Sequence, residues 1–279
     1  MIKLLVSFTI LFVLSSARPQ EIDSNQAAIA NTEANEAPVI VNNDASMGNA
    51  VDFSFPTNVQ VMNCLKKAKY QVVFLRGFVP TGNGAFDSNC VGNIRNAYSA
   101  GLGIETYMTP QPISSWQGYQ QLDLLYNGLN NNGITIRSVW IQVTSPANWP
   151  NNPTANVNFI NSIISRAQQY GLSVGIYTNQ YDWSQITGNS ANINSNVMLW
   201  YWNVLGGGTS GETKPTFADF RAFGPFKKAS VKQYAQVETV CNLVVNRDVY
   251  AVGIPAAAPK TEVNMADGEK IVVGGFVGN

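Results

Sequence analysis

The sequence contains no histidine among its 279 residues. Histidine supplies the general base of most nucleophilic triads and is the commonest metal ligand, so its absence excludes His-based triads and ordinary imidazole metal sites. Any acid–base chemistry at neutral pH must therefore come from carboxylates.

Charged residues are also scarce, at 12% of the chain, with 17 acidic and 17 basic side chains and a net charge of zero. An average soluble protein has about 25%. No basic run favours nucleic acid, and no strand is followed by a glycine-rich phosphate loop, so we expect neither nucleic-acid nor nucleotide binding. A surface rich in Asn, Gln, Ser and Thr suits neutral polar ligands such as sugars.

Long apolar runs are missing except at the N-terminus. Residues 1–17 combine Lys3 with an apolar core over 4–14 and a small residue, Ala17, before Arg18. This pattern is typical of a secretory signal peptide, and its apolar core is too short to span a bilayer. We therefore expect a secreted chain, extracellular or in the secretory and lysosomal lumen, with no membrane contact.

Cysteines are few: Cys64, Cys90 and Cys241. In an oxidising compartment two of the three can pair, and their spacing does not choose which two. Three cysteines do not make a disulfide scaffold, so an apolar core must carry the fold. No Asn-x-Ser/Thr acceptor sequence is present outside an Asn-Pro-Thr, so we expect no N-glycosylation.

Composition divides the chain into four segments. The signal peptide (1–17) is followed by a leader over 18–46 that has no aromatic residue and is expected to be flexible. A single globular domain follows over 47–253, and the sparse tail over 254–279 is expected to be disordered. We expect a monomer.

Strands and helices alternate within the domain at least five times. We predict strands at 49–53, 71–78, 103–108, 136–144, 172–178, 197–204, 231–236 and 243–246, and helices at 58–69, 88–101, 114–129, 154–170 and 181–187. This spacing indicates an α/β protein with a parallel sheet. Because loops replace helices in the last third, we expect a modified (β/α) TIM-like barrel with irregular last strands. An open doubly wound sheet is the alternative.

The strand at 136–144 is central to the functional argument. In such a barrel the chemistry belongs at the C-terminal ends of the strands, which here carry Gln142 and Thr144. Neither side chain is an acid or a base at neutral pH. This pair points away from catalysis.

Several short motifs together resemble the nematode lysozyme-like proteins of glycoside hydrolase family 25, over about residues 49–250. They are AVDFS at 50–54, YMTP at 107–110, GIYTN at 175–179, YDW at 181–183, LWYWN at 199–203, DFRAFG at 219–224, VKQYA at 231–235 and VC at 240–241. The resemblance implies a sugar-binding groove at the strand ends and cleavage of the β-1,4 link between N-acetylmuramic acid and N-acetylglucosamine in bacterial peptidoglycan. It implies a role in innate antibacterial defence and no metal or organic cofactor.

The resemblance also implies four carboxylates, of which this chain keeps one. Asp52 matches the Asp of the first strand. Gln142 and Thr144 stand in place of the family's Asp-x-Glu, whose Glu is the proton donor, and Asn246 stands in place of the last-strand Asp. Losing the acid alone removes a contribution of about 100-fold to 10,000-fold. Aromatic side chains are the candidates for sugar binding, each being equally suited to packing: Tyr107, Trp149, Tyr177, Trp200 and Trp202.

Three functions remain open. The favoured one is a secreted pseudo-lysozyme that binds glycan with little or no hydrolysis. The second is an active muramidase with its proton donor relocated, for example to Asp182 or Glu105, although we expect Asp182 to brace a turn and Glu105 to lie at the surface. The third is an interaction protein that binds no glycan.

Overall fold

A computed structural model describes residues 36–38, 47–194, 196–252 and 270–275. The expected signal peptide lies outside these residues, as does most of the leader. The helices and strands are β1 (Met47–Phe53), α1 (Val59–Lys67), β2 (Val72–Val79), β3 (Ala85–Phe86), α2 (Asn89–Ser99), β4 (Gly103–Met108), α3 (Gly118–Asn130), β5 (Ile134–Ile136), β6 (Ser138–Gln142), α4 (Pro153–Gln169), β7 (Ser173–Thr178), α5 (Gln180–Thr187), β8 (Met198–Trp202), β9 (Val231–Val240), β10 (Leu243–Ala251) and β11 (Ile271–Val273).

Eight of these strands close into a barrel in the order β1-β2-β4-β6-β7-β8-β9-β10, and β10 pairs with β1. Neighbouring strands run parallel from β1 to β9, whereas β10 is antiparallel to both of its neighbours. The predicted TIM-like barrel with irregular last strands is thus confirmed. The open-sheet alternative is wrong, because the β1–β2 and β1–β10 pairings leave the barrel no free edge.

The strand predicted over 136–144 is broken at Arg137. Residues 134–136 leave the barrel and pair with β11 in a separate two-stranded sheet, whereas β6 pairs with β4 and β7. The tail crosses this break, where the Gly275 N–H donates to Ser138 Oγ at 3.0 Å. The expectation of a disordered tail is therefore wrong for residues 271–273, which gain ladder hydrogen bonds and bury Val273. Residues 253–269 lie outside the described part of the chain.

Apolar side chains form two layers. One layer lies between the strands and the helices and includes Leu75, Ile94 and Ile163, all fully buried. The other layer fills the barrel lumen and consists largely of aromatic rings, among them Phe74, Trp140 and Trp200. Trp140 fits because residue 175 is glycine: a Cβ there would lie 2.1 Å from the indole ring. Because successive side chains of a barrel strand point alternately inward and outward, each strand contributes to both layers.

Ion pairs hold the loop that replaces helices beyond β8. Buried Lys232 on β9 donates to Asp219 Oδ2 at 2.7 Å, and Arg247 on β10 contacts Glu212 Oε1 at 2.7 Å. Both acidic partners lie in the 203–230 connection, so the two contacts fasten this loop to the outer barrel wall. These cations face outward from strands that lack a covering helix, so the loop supplies a counter-charge to each of them, and Arg247 also pairs with buried Glu238 of β9 at 3.0 Å.

Two further contacts fasten the N-terminal half. Cys64 of α1 and Cys241 of the β9–β10 turn form a disulfide with a Cα–Cα distance of 5.9 Å, which resolves the open pairing and leaves Cys90 as a buried thiol. Residues 36–38 of the expected flexible leader are also packed: Ala37 is buried and its N–H donates to Ala68 O at 2.9 Å. The leader expectation is wrong for these three residues.

Candidate functional site

The retained carboxylate, Asp52, lies at the C-terminal end of β1 and faces the barrel lumen. Its Oδ1 accepts a hydrogen bond from Gln233 Nε2 at 2.6 Å, and its Oδ2 accepts one from Asn246 Nδ2 at 2.9 Å. The Tyr177 hydroxyl donates to Gln233 Oε1 at 2.8 Å. The structure therefore brings Asp52, Asn246 and Tyr177 together through Gln233, a residue that the sequence analysis missed.

Bulges in β9 create this arrangement. In a regular strand, residues three apart face opposite sides, yet both Gln233 and Gln236 point toward Asp52 and share a hydrogen bond. Register shifts on either side of Arg247 provide the extra residues. Val237 takes up part of the distortion at φ 55°, where a β-branched residue is strained, and its N–H is held by Asn246 Oδ1 at 3.0 Å.

A second acid, Asp248, lies one layer deeper and was also missed. Its Oδ1 accepts from Trp200 Nε1 at 2.8 Å, and its buried Oδ2 has no N–H or O–H donor among the described residues. The Asp52 carboxyl is within hydrogen-bonding reach. A proton held by one acid completes the contact between the two.

Electrostatics favour such a shared proton. Burial raises the pKa of Asp52 to about 6, against the lowering effect of the hydrogen bonds from Asn246 and Gln233. Burial, together with the charge of Asp52, raises the pKa of Asp248 well above its ordinary range. Asp248 is therefore the member that keeps its proton at neutral pH, and Asp52 carries the charge. We call these two residues and their amide partners Gln233 and Asn246 the acid cluster.

Gln142 and Thr144 form a separate, neutral cluster at the end of β6. Thr109 Oγ1 donates to Gln142 Oε1 at 2.7 Å, and Gln142 Nε2 donates to Thr144 Oγ1 at 3.0 Å. Trp149 Nε1 donates to Thr144 O at 3.0 Å. A cavity of about 260 Å³ opens beside the pair, bordered by residues that include Pro80, Thr109, Gln111, Ile113, Gln142, Thr144 and Trp149. We call Thr109, Gln142 and Thr144 the amide cluster.

The five aromatic candidates for sugar binding divide into three that lie in the lumen core and two that border cavities. Trp200 is fully buried, with its ring 4.2 Å from that of Tyr177 and 4.6 Å from that of Phe74. Its assignment to sugar binding is wrong, because no ligand can reach a ring enclosed by the lumen core. Tyr107 and Tyr177 lie in the same buried layer. Trp149 borders the cavity beside Thr144, and Trp202 borders a larger one, of about 530 Å³, at the ends of β7 and β8.

Asp182 and Glu105, the two candidates for a relocated donor, are both buried. Asp182 Oδ2 accepts from Trp202 Nε1 at 3.1 Å, so this side chain faces the lumen mouth rather than only bracing its turn. Glu105 Oε2 accepts from Trp140 Nε1 at 3.0 Å and from Ser138 Oγ, so the expectation of a surface position for Glu105 is wrong. It lies among the lumen aromatics, far down β4.

The described residues hold neither a candidate metal site nor a candidate membrane span. Among them, no group of three or more His, Cys, Asp or Glu side chains could hold a metal ion. No helix within the same described ranges has the length and apolarity needed to cross a membrane. What the site offers chemically is one charged carboxylate, one protonated carboxyl beneath it, and a set of amides and hydroxyls.

Comparison with known proteins gives the family. Residues 43–234 match the family model described as lysozyme-like protein 1. The chain is 64% identical to lysozyme-like protein 1 of Caenorhabditis elegans over 97% of both chains. It is 50% identical to lysozyme-like protein 7 of the same nematode, over 99% of this chain and 97% of that one.

A solved structure gives the fold. The family GH25 lysozyme from Aspergillus fumigatus superposes with a TM-score of 0.57 at 16% identity, over 75% of this chain and 96% of that chain. The resemblance seen in the sequence motifs is thereby confirmed. The chain belongs to the lysozyme-like protein 1 family, and its barrel has the fold of a family 25 glycoside hydrolase.

Proposed function

We propose that this protein is a secreted, lysozyme-like glycan-binding protein of antibacterial defence that hydrolyses peptidoglycan poorly or not at all. The observation that carries the proposal is the amide cluster. Gln142 and Thr144 take the places that the resemblance gives to the Asp-x-Glu, and their polar atoms bond to each other and to Thr109. Neither side chain has a proton to give to a glycosidic oxygen at neutral pH.

Binding is supported by the surroundings of this cluster. The 260 Å³ cavity beside it offers amides, hydroxyls and the ring of Trp149, which are the groups that hydrogen-bond sugar hydroxyls and stack on pyranose faces. Replacing carboxylates by an amide and a hydroxyl removes charge while keeping hydrogen-bonding capacity. Such a groove binds a neutral sugar without the cost of burying several like charges.

Secretion is supported by the N-terminal pattern and by the disulfide. The Cys64–Cys241 bond joins residues 177 positions apart, and such bonds persist in oxidising compartments. We therefore propose that the protein meets bacterial cell walls outside the cell or in a lysosomal lumen, and we propose further that it acts as a monomer.

The deciding experiment combines turnover with binding. The mature secreted protein, its Thr144→Ala variant and an active family 25 lysozyme are incubated with purified insoluble peptidoglycan. We expect the protein to sediment with the peptidoglycan while both of its forms release no soluble fragments. Release near the rate of the active enzyme would overturn the proposal. Absence from the pellet would favour an interaction protein that binds no glycan.

A second function, a muramidase with a relocated donor, is favoured by one observation. Burial raises the pKa of Asp52 to about 6, so part of its population is protonated near neutral pH, and Asp248 beneath it holds a further proton. In that case weak fragment release would rise below pH 6. It would disappear in Asp52→Asn and persist in Asp182→Asn.

A further inference from the structure

A buried ion cluster lies on the outer wall of the barrel, and none of its residues borders either cavity described above. Arg247 Nη1 of β10 donates to Glu238 Oε2 of β9 at 3.0 Å and to Glu212 Oε1 of the loop after β8 at 2.7 Å. Arg247 Nε donates to the hydroxyl of Tyr70, which follows α1, at 2.8 Å, and Nη2 donates to Glu36 O of the leader at 3.3 Å. One arginine thus joins two barrel strands to three other segments of the chain. We call Glu212, Glu238 and Arg247 the outer clamp.

The charges of the outer clamp do not balance when both acids are ionised, because two carboxylates then face one guanidinium. Glu238 is fully buried, whereas the Glu212 side chain is 33% exposed. Glu238 Oε1 has no hydrogen-bond donor among the described residues, although the Glu212 carboxyl lies within hydrogen-bonding reach. A buried carboxylate oxygen without a donor is costly. A single proton shared by the two acids supplies the missing donor and balances the charge.

The surroundings of Glu238 leave this shared proton as the one that titrates near neutral pH. Burial raises the pKa of Glu238 to about 7, against the lowering effect of Arg247, and the charge of Glu212 raises it as well. The other titratable side chains that face the pair are Tyr70, from the segment after α1, and Tyr234, from β9 itself. Burial raises the pKa of both hydroxyls above the ordinary value of 10.0, so both stay neutral. The outer clamp therefore changes its charge from zero to −1 as pH rises through about 7.

Backbone contacts on either side of the loop glutamate connect the outer clamp with the acid cluster. The Gly208 N–H donates to Gln236 O at 2.8 Å, and the Thr213 N–H donates to Tyr234 O at 2.9 Å. Both acceptors lie on β9. The side chain of Gln236 in turn donates to Gln233, which belongs to the acid cluster. A change in the position of the loop therefore reaches the acid cluster through Gln236.

We propose that the outer clamp is a pH-sensitive device, which holds the loop after β8 against β9 while its two acids share a proton and releases it when that proton leaves. Once both acids are charged they repel each other, and Arg247 can balance only one of them. Glu238 cannot move to water, because it lies fully buried within the β9–β10 ladder. Glu212 is partly exposed on a loop, so it moves away and takes residues 205–213 with it. The clamp is therefore closed at mildly acidic pH and open at alkaline pH.

The test is amide hydrogen–deuterium exchange of the mature secreted protein, read by mass spectrometry on peptides that cover residues 205–213. Exchange is measured at about pH 5.5 and about pH 8.5 and is divided by the rate of an unstructured peptide at the same pH. We expect the protection of the Gly208 and Thr213 amides to be at least about tenfold lower at the higher pH, since each unit of pKa difference between the closed and open forms changes their ratio tenfold. Peptides from β4 and β6, which lie across the barrel from β9 and β10, are the internal reference and keep their protection.

Two glutamine variants remove the charge imbalance. Glu238→Gln and Glu212→Gln each leave one carboxylate for one guanidinium, so we expect either variant to keep its protection at the two pH values within about twofold. Glu212→Gln changes a partly exposed loop residue and so decides the question even if Glu238→Gln does not fold. Asp219→Asn is the matched control, because it removes the ion pair of the same loop with Lys232. It should lower the protection at both pH values and keep the difference between them.

Three outcomes would overturn the proposal. The first is equal protection of residues 205–213 at the two pH values in the wild type. The second is a fall of the same size in β4 and β6, which would assign the change to global stability. The third is a wild-type difference that persists in both glutamine variants. None of these measurements needs peptidoglycan, so the outer clamp and the proposed function fail independently.

Discussion

The acid cluster and the amide cluster lie in the same barrel but have opposite electrostatic character. In the acid cluster, Asp52 keeps its charge because Gln233 and Asn246 donate to both of its oxygens, and Asp248 keeps a proton beneath it. In the amide cluster, Gln142 and Thr144 bond to each other and involve no charge. A buried carboxylate needs donors built around it, whereas an amide and a hydroxyl satisfy each other.

This difference bears on the proposed loss of hydrolysis. Glycoside hydrolysis of this kind needs two carboxyl groups on opposite sides of the bond that breaks. The acid cluster still holds carboxyl groups, but they lie next to each other and deep in the lumen. The amide cluster lies beside an open cavity but has no acid. The carboxyl groups are thus in one cluster, whereas the cavity that a ligand can enter lies beside the other.

The largest expected effect comes from restoring acids to the amide cluster. In the triple variant Gln142→Asp, Thr144→Glu and Asn246→Asp, the proton donor and its neighbours return to the positions that the resemblance implies. We expect fragment release from peptidoglycan to rise at least about 100-fold above the wild-type background, the lower end of what a general acid contributes. Release is measured as soluble reducing ends.

The matched control for this gain is the same triple variant with Thr144→Gln in place of Thr144→Glu. Glutamine has the shape of glutamate without the proton, so the control should stay at the background. Persistent inactivity of the Glu-containing variant, with an unchanged circular dichroism spectrum and melting temperature, would show that the groove differs in more than its acids.

A second prediction concerns the pH dependence of stability, to which the acid cluster should contribute together with Glu238, whose pKa burial raises to about 7. The folded pKa of Asp52, about 6, lies above its ordinary value of 3.8, so the folded state binds more protons between these values. The free energy of unfolding should therefore fall as pH rises through this window, by roughly 1–3 kcal/mol between pH 4 and pH 7. Urea unfolding at each pH measures it.

Asp52→Asn should reduce this slope, because it removes one titrating acid and the charge that raises the pKa of Asp248, and the part that remains should come from Glu238. Asp123→Asn, which removes a carboxylate from a partly exposed ion pair with Arg166, is the matched control and should keep the slope. A stability that rises between pH 4 and pH 6 in the wild type would contradict a buried acid pair.

The smallest effect is expected in the amide cluster. Thr144→Val keeps the side-chain shape and removes the oxygen that accepts from Gln142 Nε2. We expect a loss of about 0.5–1.5 kcal/mol of unfolding free energy, the net contribution of one neutral hydrogen bond. The loss should be the same at pH 4 and pH 7. A loss that grew with pH would mean that the two clusters are electrostatically linked.

Much of the fold could be predicted because strand and helix periods are local. The strands over 103–108 and 172–178 and the helix over 154–170 follow from apolar spacing and from their glycine and proline boundaries, and the structure places them within a residue or so. That Gln142 and Thr144, rather than acids, lie at the end of β6 could also be predicted, because it depends only on which residues follow a strand.

The missed residues depend on contacts that no local pattern records. Gln233 and Gln236 face the same side only because bulges in β9 shift the alternation, and Asp248 faces the lumen because β10 returns antiparallel. Trp200 and Trp202 share a strand face and an amino-acid type, yet the first is enclosed and the second borders a cavity. The two-residue alternation of a strand predicts which face a side chain takes, but it does not predict how deep in the barrel that side chain lies.

The sequence by itself determined the class of fold, the family and the absence of an acid at the end of β6, because each depends on residue identity and short-range spacing. The tertiary structure alone decided that Asp52 and Asp248 meet, that Cys64 pairs with Cys241, and that Arg221 borders a cavity beside Tyr181. These pairs lie between 40 and 196 positions apart in the chain. Barrel closure and loop packing bring them together, and a contact over such distances depends on all the strands between.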